Sequence, residues 1–183
     1  MNVVIFLKKV VVSFLILVFL TAIGFGVYHF IPKTVNESIK GVEFQLGSGH
    51  DQVNSVTIKI NGKLHQSLLG KRRFIGSIDV KGANYSNPNK NRKLDIVFDQ
   101  NGMGTVVYGY FENGVPHTES YGILFANKDF KKVTIEEFRE DNNGNKGWTG
   151  ENGWMATGPA NSKSEALIIT NELMKKFSHY KLK

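Results

Sequence analysis

The stretch VVVSFLILVFLTAIGFGVYHFI, residues 10–31, is the longest uncharged segment of the chain and governs how the rest is interpreted. It follows Lys8 and Lys9, and the next charge is Lys33. About 20 apolar residues at a rise of about 1.5 Å each cover the hydrocarbon core of a bilayer, so the sequence predicts a transmembrane helix. The lysine pair places the short N-terminus, residues 1–9, in the cytoplasm and the remainder outside.

A cleaved signal peptide is the alternative for this segment. Ala22-Ile23-Gly24 has the small-x-small pattern of a cleavage site. The apolar run continues beyond it through Phe25 and Val27, which favours an uncleaved signal-anchor. We therefore expect a single-pass protein of the cell membrane, with a cytoplasmic N-terminus, an extracytoplasmic C-terminal domain and the membrane itself as a partner.

Composition limits the chemistry that the chain can carry. The 183 residues have a formal net charge of +7 and include no cysteine. Disulfide frameworks, thiolate zinc sites, thiol nucleophiles and lipoprotein anchors are thereby excluded. An exported domain without disulfides fits a Gram-positive bacterium, and the positive charge favours anionic partners. The length outside the anchor suffices for one domain.

Beyond the anchor, polar residues 32–40 indicate a spacer, and residues 41–183 show the pattern of a β-rich extracytoplasmic domain. Apolar and polar residues alternate there with the period of two that is typical of half-buried strands. Asn61-Gly62 indicates a hairpin turn. The predicted strands cover residues 42–46, 56–60, 74–80, 94–98, 104–111, 121–126, 133–138 and 148–156.

The C-terminus changes to a helical period. Ser162 and Glu165 have the spacing of a capping box, and apolar residues recur at three and four positions through Phe177. The sequence therefore predicts a helix over 162–177. The expected fold class is α+β: a single N-terminal transmembrane helix, then a mostly antiparallel β-sheet domain packed by one C-terminal amphipathic helix.

The segment from Phe125 to Met174 resembles the C-terminal part of a group of small membrane-anchored proteins of Gram-positive bacteria. The resemblance rests on the Asp129-Phe130 turn, Trp148 with its glycine-rich turn, the Pro159-Ala160 step and the Ser162 cap. It implies an exported, anchored location. No activity is known for the group, so it implies no site residues.

Catalytic signatures are absent from the sequence. There is no His-Glu-x-x-His motif, no Walker loop and no Gly-x-Ser-x-Gly elbow, and the five histidines are far apart. We therefore predict no catalytic residues. A hydrolase acting on cell-wall glycan would need two facing carboxylates. The candidates on predicted strands, or beside them, are Asp79, Asp95, Glu112, Glu119 and Glu136.

One loop has the spacing of a calcium site. Asp141, Asn143 and Asn145 match ligand positions 1, 3 and 5 of a calcium loop. Position 6 is Lys146 instead of glycine, and position 12 is Asn152 instead of glutamate. Loops rich in Asn and Gly have the same composition without a metal. We expect no metal and no cofactor, and the calcium question stays open.

Two tryptophans are the candidate ligand-binding residues. Trp148 and Trp154 flank Thr-Gly-Glu-Asn-Gly, and such a pair can form a platform for a sugar or a peptide. The alternative is that both fill the core between sheet and helix, because tryptophan buries a large apolar area.

Basic clusters suggest the partner. They lie at residues 71–73, 90–93 and 128–132. We expect a non-enzymatic binding or interaction module at the cell envelope, with an envelope protein or an anionic wall polymer as partner and no nucleic acid. The alternatives are the wall-acting hydrolase with strand-borne carboxylates and a structural component of a membrane complex.

Overall fold

The computed structural model describes residues 2–67, 69–85, 89, 92–141, 144–178 and 181–183, with side chains inside the first helix described at 6–21, 23, 24 and 26. Two helices and ten strands are formed within these described residues. They are α1 (Asn2–Phe30), β1 (Lys33–Gln45), β2 (Val53–Gln66), β3 (Arg72–Lys81), β4 (Leu94–Phe98), β5 (Met103–Glu112), β6 (Val115–Ala126), β7 (Val133–Glu137), β8 (Arg139–Glu140), β9 (Lys146–Gly147), β10 (Trp154–Gly158) and α2 (Lys163–Leu173).

Eight strands form one antiparallel sheet that curls almost into a barrel. Their order is β4-β3-β2-β1-β10-β7-β6-β5, and β8 pairs separately with β9. The two outermost strands, β4 and β5, are consecutive in the chain and pack side by side. A Cβ atom at Gly104 of β5 would collide with the side chain of Ile96 in β4. We call this closed-up sheet the near-barrel.

A glycine pair allows β2 and β3 to follow this curvature. Gly62 lies opposite Gly76 in the antiparallel register, and a Cβ at either position would collide with the neighbouring backbone and with the ring of Phe74. Glycine in a strand interior typically marks such a bend or close approach. Asn61-Gly62 is therefore part of β2, and the predicted hairpin turn at this point is wrong.

Strand alternation supplies two hydrophobic cores. One face of the sheet fills the inside of the near-barrel with residues such as Ile39, Ile58 and Leu124. The opposite face carries Phe44 and Met155, among others, and packs against α2. The central strands are thus apolar on both faces, as strands covered on both sides are.

The C-terminal helix begins where the capping box predicts. The hydroxyl of Ser162 accepts from the backbone N–H of Glu165 at 3.3 Å, and the Glu165 carboxylate accepts from the N–H of Asn161 at 2.8 Å. The regular helix ends at Leu173, earlier than predicted. A buried hydroxyl cluster ties it to the sheet, because Thr170 lies 2.9 Å from Thr157 and 3.2 Å from Thr134.

Replacing Thr170 with valine is expected to lower the free energy of unfolding by about 1–2 kcal/mol. Valine keeps the shape of threonine but removes the hydroxyl that links α2 to the sheet, while Thr134 and Thr157 keep each other at 2.5 Å. Urea unfolding measures the change. Thr118→Val, on an exposed position of β6, is the control. Equal losses in both variants would contradict a docking role for the cluster.

One end of the near-barrel is plugged. The loop between β6 and β7 places Phe130 in a left-handed conformation, φ 59°, with its ring fully buried. That ring packs against Phe74 at 5.5 Å and Phe98 at 5.6 Å between centroids. The Arg72 guanidinium covers Phe98 and Phe130 from outside. We call this the closed end, and the opposite end, which carries polar side chains, the open end.

The first helix corrects the predicted anchor. It runs from Asn2 to Phe30 and includes Lys8 and Lys9, whereas the prediction placed both lysines before the start of the helix. Within the described chain, no helix has the length and hydropathy that a membrane crossing requires.

This finding contradicts the transmembrane helix at 10–31 and, with it, the single-pass cell-membrane location. The predicted fold class is corrected accordingly. The chain is mostly antiparallel β with a near-closed sheet and two helices. Residues 33–40, predicted as a spacer, form the first part of the long strand β1, where Val35 and Ile39 point into the core.

Candidate functional site

A buried charge cluster occupies the open end. Arg139, in the short strand β8, donates from Nη2 to Oε1 of Glu43 and, at 2.6 Å, to Oε2 of Glu137. Its Nε also donates to that Glu137 oxygen at 3.1 Å. Both carboxylate side chains are 0% exposed, whereas Arg139 is 19% exposed. Two buried acids thus share one guanidinium, which is the outermost member of the cluster.

Aromatic rings hold that guanidinium in place. Its centre lies 3.8 Å from the ring centroid of Trp154 and 5.4 Å from that of Tyr85. Trp154 begins β10, which lies between β1 and β7, so its register partners are Gln45 and Glu137. The strand order therefore brings the tryptophan, the arginine and the carboxylates together from distant parts of the chain.

The two carboxylates, Glu43 and Glu137, differ in the number of hydrogen bonds that they accept. Glu43 also accepts from the Asn54 side chain at 2.8 Å and from the Asn84 N–H at 2.9 Å. Within the described residues, Oε1 of Glu137 is buried without a hydrogen-bond partner, and so is the Tyr121 hydroxyl. Burial raises the pKa of Glu137, Arg139 opposes this shift, and Glu43 adds to it. Burial also raises the pKa of Tyr121, with a smaller contribution from Glu137.

A cleft of about 600 Å³ lies over this cluster. We call it the open-end cleft. Its lining includes Glu137, Arg139, Glu140, Lys146, Trp148 and Trp154.

Both predicted ligand-binding tryptophans therefore line the same cleft, but they sit differently. Trp154 stacks on Arg139. Trp148 also packs against the outer core beneath α2 and closely over Gly153, in part as the core-filling alternative expected. That they bind a ligand stays a prediction.

The carboxylates named as a possible hydrolytic pair are not brought together. Asp95 binds Arg73 at the surface, Glu112 is exposed, and Glu119 binds Lys146 at 2.7 Å. Glu136 lies on the outer face of β7, where burial raises its pKa to about 7. Asp79 is half-buried on β3.

Glu43 and Glu137 were missed as a pair. Their alternation with apolar neighbours resembles that of a solvated strand face. The available signal was a change of parity along β1: Val35 and Ile39 face one core, whereas Val42 and Phe44 face the other. A general acid or base must reach its substrate. Because both carboxylates are fully buried, the geometry favours a structural or ligand-orienting role for them.

The calcium-like loop lies only partly within the described chain, since Asn143 is outside it. The Asp141 carboxylate accepts from the Asn145 N–H at 2.8 Å, which is how an aspartate closes a tight loop. Among the residues that the structure describes, no three His, Asp or Glu side chains are placed to hold a metal.

The closed end carries a second candidate surface. A groove of about 590 Å³ there is lined by five cations and two acids. The cations are Lys33, Arg72, Lys128, Lys175 and Lys176, and the acids are Asp99 and Glu172. We call it the basic groove.

Two of the predicted basic clusters meet at this groove. Nη2 of Arg72 donates to the backbone oxygen of Asn127 at 3.0 Å, which joins cluster 71–73 to cluster 128–132. Glu172 is already paired with Lys132 at 2.6 Å. The cluster at 90–93 is elsewhere, because Arg92 lies over Tyr110; residues 90 and 91 are outside the described chain.

The fold and its two surfaces define a class, a small antiparallel near-barrel with a basic groove at one end and an acid-rich cleft at the other. No protein-family model, curated protein or solved structure matches the chain. The resemblance to small proteins of Gram-positive bacteria therefore stays an expectation.

Proposed function

We propose that the protein is a non-enzymatic binding module that holds an anionic polymer with repeated phosphate groups in the basic groove. The observation that carries the proposal is the convergence of cations from β1, β3, the β6–β7 loop and the end of α2 on one groove. Four of these five cations are lysines on exposed positions. Repeated cations along a groove match the repeated charge of a polymer better than a single small anion.

The orientation of the Arg72 side chain within the groove is fixed by its contacts. Its side chain packs over Phe98 and Phe130, and its Nη2 is tied to Asn127, so its orientation is set before any ligand arrives. Burial lowers its pKa, but a guanidinium stays charged at neutral pH. A planar, pre-oriented guanidinium suits phosphate oxygens, and the surrounding lysines act as mobile point charges.

Nucleic acid is a poorer fit to the same groove. Single-stranded nucleic acid is held largely by bases that stack on aromatic side chains. None of the described residues that line the groove is aromatic. The rings of Phe98 and Phe130, which lie nearest, are covered by Arg72. These features support a flexible polyphosphate-type chain over a nucleic acid.

Binding of long-chain inorganic polyphosphate to the full-length protein is expected to fall steeply with salt. If all five cations contact phosphates, at roughly −0.7 per contact, the slope of log K against log salt is about −3.5. Affinity then falls about 100-fold between about 50 mM and about 200 mM salt. Isothermal titration calorimetry measures it, with single-stranded DNA of equal charge as the comparison ligand.

A matched pair of triple variants locates the site. Lys128→Gln/Lys175→Gln/Lys176→Gln is expected to weaken binding about tenfold or more and to bring the slope to about −1.4. Lys81→Gln/Lys93→Gln/Lys183→Gln removes the same charge from exposed positions outside the groove and is expected to change affinity less than about threefold. Equal effects of the two triples, or no binding at low salt, would refute the proposal.

A further inference from the structure

A second groove, of about 740 Å³, follows the outer side of α2 and the turn after it, and Lys181 of the C-terminal segment also lines it. The Asn171 side chain holds this segment against the helix. Its amide nitrogen donates to the Leu182 carbonyl at 3.1 Å, and its oxygen accepts from the Leu182 N–H at 2.9 Å. The groove is therefore bounded on both sides by chain that is fixed in place. We call it the helix groove.

The helix groove continues into the basic groove, because Glu172 and Lys175 line both surfaces. The Glu172 carboxylate is already paired with Lys132 at 2.6 Å. Lys175 and Lys181, by contrast, form no ion pair with any of the described acids. The helix groove thus has two cations whose charge no neighbouring acid offsets, and one of them lies at its junction with the basic groove.

An apolar strip distinguishes the helix groove from the basic groove. Leu167 and Ile168 share one face of α2 with Asn171, since residues three or four apart are neighbours on a helix. Ile168 is 69% exposed, and Leu167 is half-buried. Most residues that line the basic groove are instead polar or charged. An accessible apolar strip that leads away from a group of cations matches an amphiphile with an anionic head.

We propose that the phosphate polymer bound in the basic groove carries an aliphatic chain at one end, and that this chain lies in the helix groove along Leu167 and Ile168. The phosphate nearest to the chain contacts Lys175 at the junction. This inference rests on the proposed function, because it assigns the chemical class of one end of the same ligand. The chain is stabilised by leaving water, and the phosphate by the lysine.

An alkyl chain fits the helix groove better than a protein partner does. Within α2, Ile168 is the large apolar residue that is mostly exposed, and polar or charged residues border it. The apolar strip is therefore narrow. A specific protein interface usually buries about 800 Å² on each partner, with a broad apolar centre. A single alkyl chain requires no more than a narrow strip.

The test is an NMR titration of the isotope-labelled full-length protein with octyl phosphate, below the concentration at which it forms micelles. Saturable shifts are expected at the Ile168 methyl groups and at the Asn171 side-chain amide. Each fully buried methylene raises affinity about fourfold. Octyl phosphate is therefore expected to bind at least about tenfold more tightly than ethyl phosphate, with its chain partly covered by the open groove. Octyl glucoside, which has the same chain without the charge, is expected to bind at least about fivefold more weakly than octyl phosphate.

Two exposed apolar residues provide the variant and its control. Ile168 is 69% exposed, and Val97, on β4 outside both grooves, is 62% exposed. Ile168→Asn is expected to weaken octyl phosphate binding about fivefold or more and to leave polyphosphate affinity unchanged. Val97→Asn is expected to change neither. If Ile168→Asn does not fold, Ile168→Ala replaces it, with an expected loss of about two- to threefold.

Different results overturn this inference and the proposed function. If octyl phosphate binds no more tightly than ethyl phosphate, or if Ile168→Asn and Val97→Asn bind it equally, the chain site is wrong while polyphosphate binding stands. Shifts confined to α1, whose apolar side chains are also exposed, would likewise overturn the chain site. If Lys128→Gln/Lys175→Gln/Lys176→Gln leaves polyphosphate affinity unchanged, the proposed function is wrong, and this inference fails with it.

Discussion

Replacing Arg139 with methionine is expected to lower the free energy of unfolding near pH 7.5 by about 3–5 kcal/mol. Methionine keeps the length of the side chain but removes the charge that Glu43 and Glu137 share. Both carboxylates have 0% exposed side chains, so water does not replace the lost partner. The contact of the guanidinium with Trp154 is lost as well. Guanidinium-chloride unfolding of the full-length protein measures the change.

Removing the acids together with the arginine separates charge from packing. The triple variant Arg139→Met/Glu43→Gln/Glu137→Gln is expected to recover most of the loss, because neutral amides leave no buried charge unpaired. The single variant should also recover in part near pH 5, because burial raises the pKa of Glu137 and this carboxyl then takes up a proton. Arg73→Met is the control, since Arg73 and Asp95 are 55% and 48% exposed and such a pair contributes little. A triple variant no more stable than Arg139→Met would show that the guanidinium acts through packing alone.

Local sequence patterns predict the strands and the helix cap of this protein well, because period-two alternation and capping are local properties. The capping serine Ser162 is one example, and the strand at 94–98 is another. Asn61-Gly62 shows the limit. The dipeptide favours a tight turn, yet a long, strongly bent strand also needs glycine where two backbones approach. The pairing of Gly62 with Gly76 decides between these outcomes and is not local.

The site depends on the order of the strands, which no local pattern encodes. β10 comes from the end of the sheet-forming sequence but pairs with β1 from its beginning, and β7 lies on its other side. This order brings Glu43, Glu137 and Trp154 to one end of the near-barrel. From the sequence, the basic clusters at 71–73 and 128–132 were visible, but their meeting at one groove follows from the plug that Phe130 forms.

The prediction of a transmembrane helix at 10–31 was wrong for a different reason. An uncharged run favours a membrane span by composition alone, since about 20 apolar residues match the thickness of a bilayer. The structure starts the helix at Asn2 and includes Lys8 and Lys9 in it. Where a helix starts depends on its caps and neighbours, which the hydropathy of the segment does not report.

Glu136 is the basis of the second large effect, because this buried acid forms no ion pair with any of the described residues. It lies on the outer face of β7 opposite Ile123 and Met155, and its Oε1 has no hydrogen-bond partner among the described residues. Burial raises its pKa from an ordinary 4.5 to about 7. Between these values the folded state binds more protons than the unfolded state, so the free energy of unfolding falls as the pH rises. Below the lower value this contribution to stability is fully present.

Glu136→Gln is therefore expected to become more stable than the parent protein as the pH rises, by about 3 kcal/mol in total between pH 4.5 and pH 8.5. Glutamine keeps the size of the side chain and remains neutral throughout. The raised pKa of Glu137 affects both proteins and cancels in the comparison. Urea unfolding across this pH range gives the difference directly. Glu112→Gln, at an exposed position, should follow the parent curve. Parallel curves for Glu136→Gln and the parent would mean that water or a basic group reaches this carboxylate in solution.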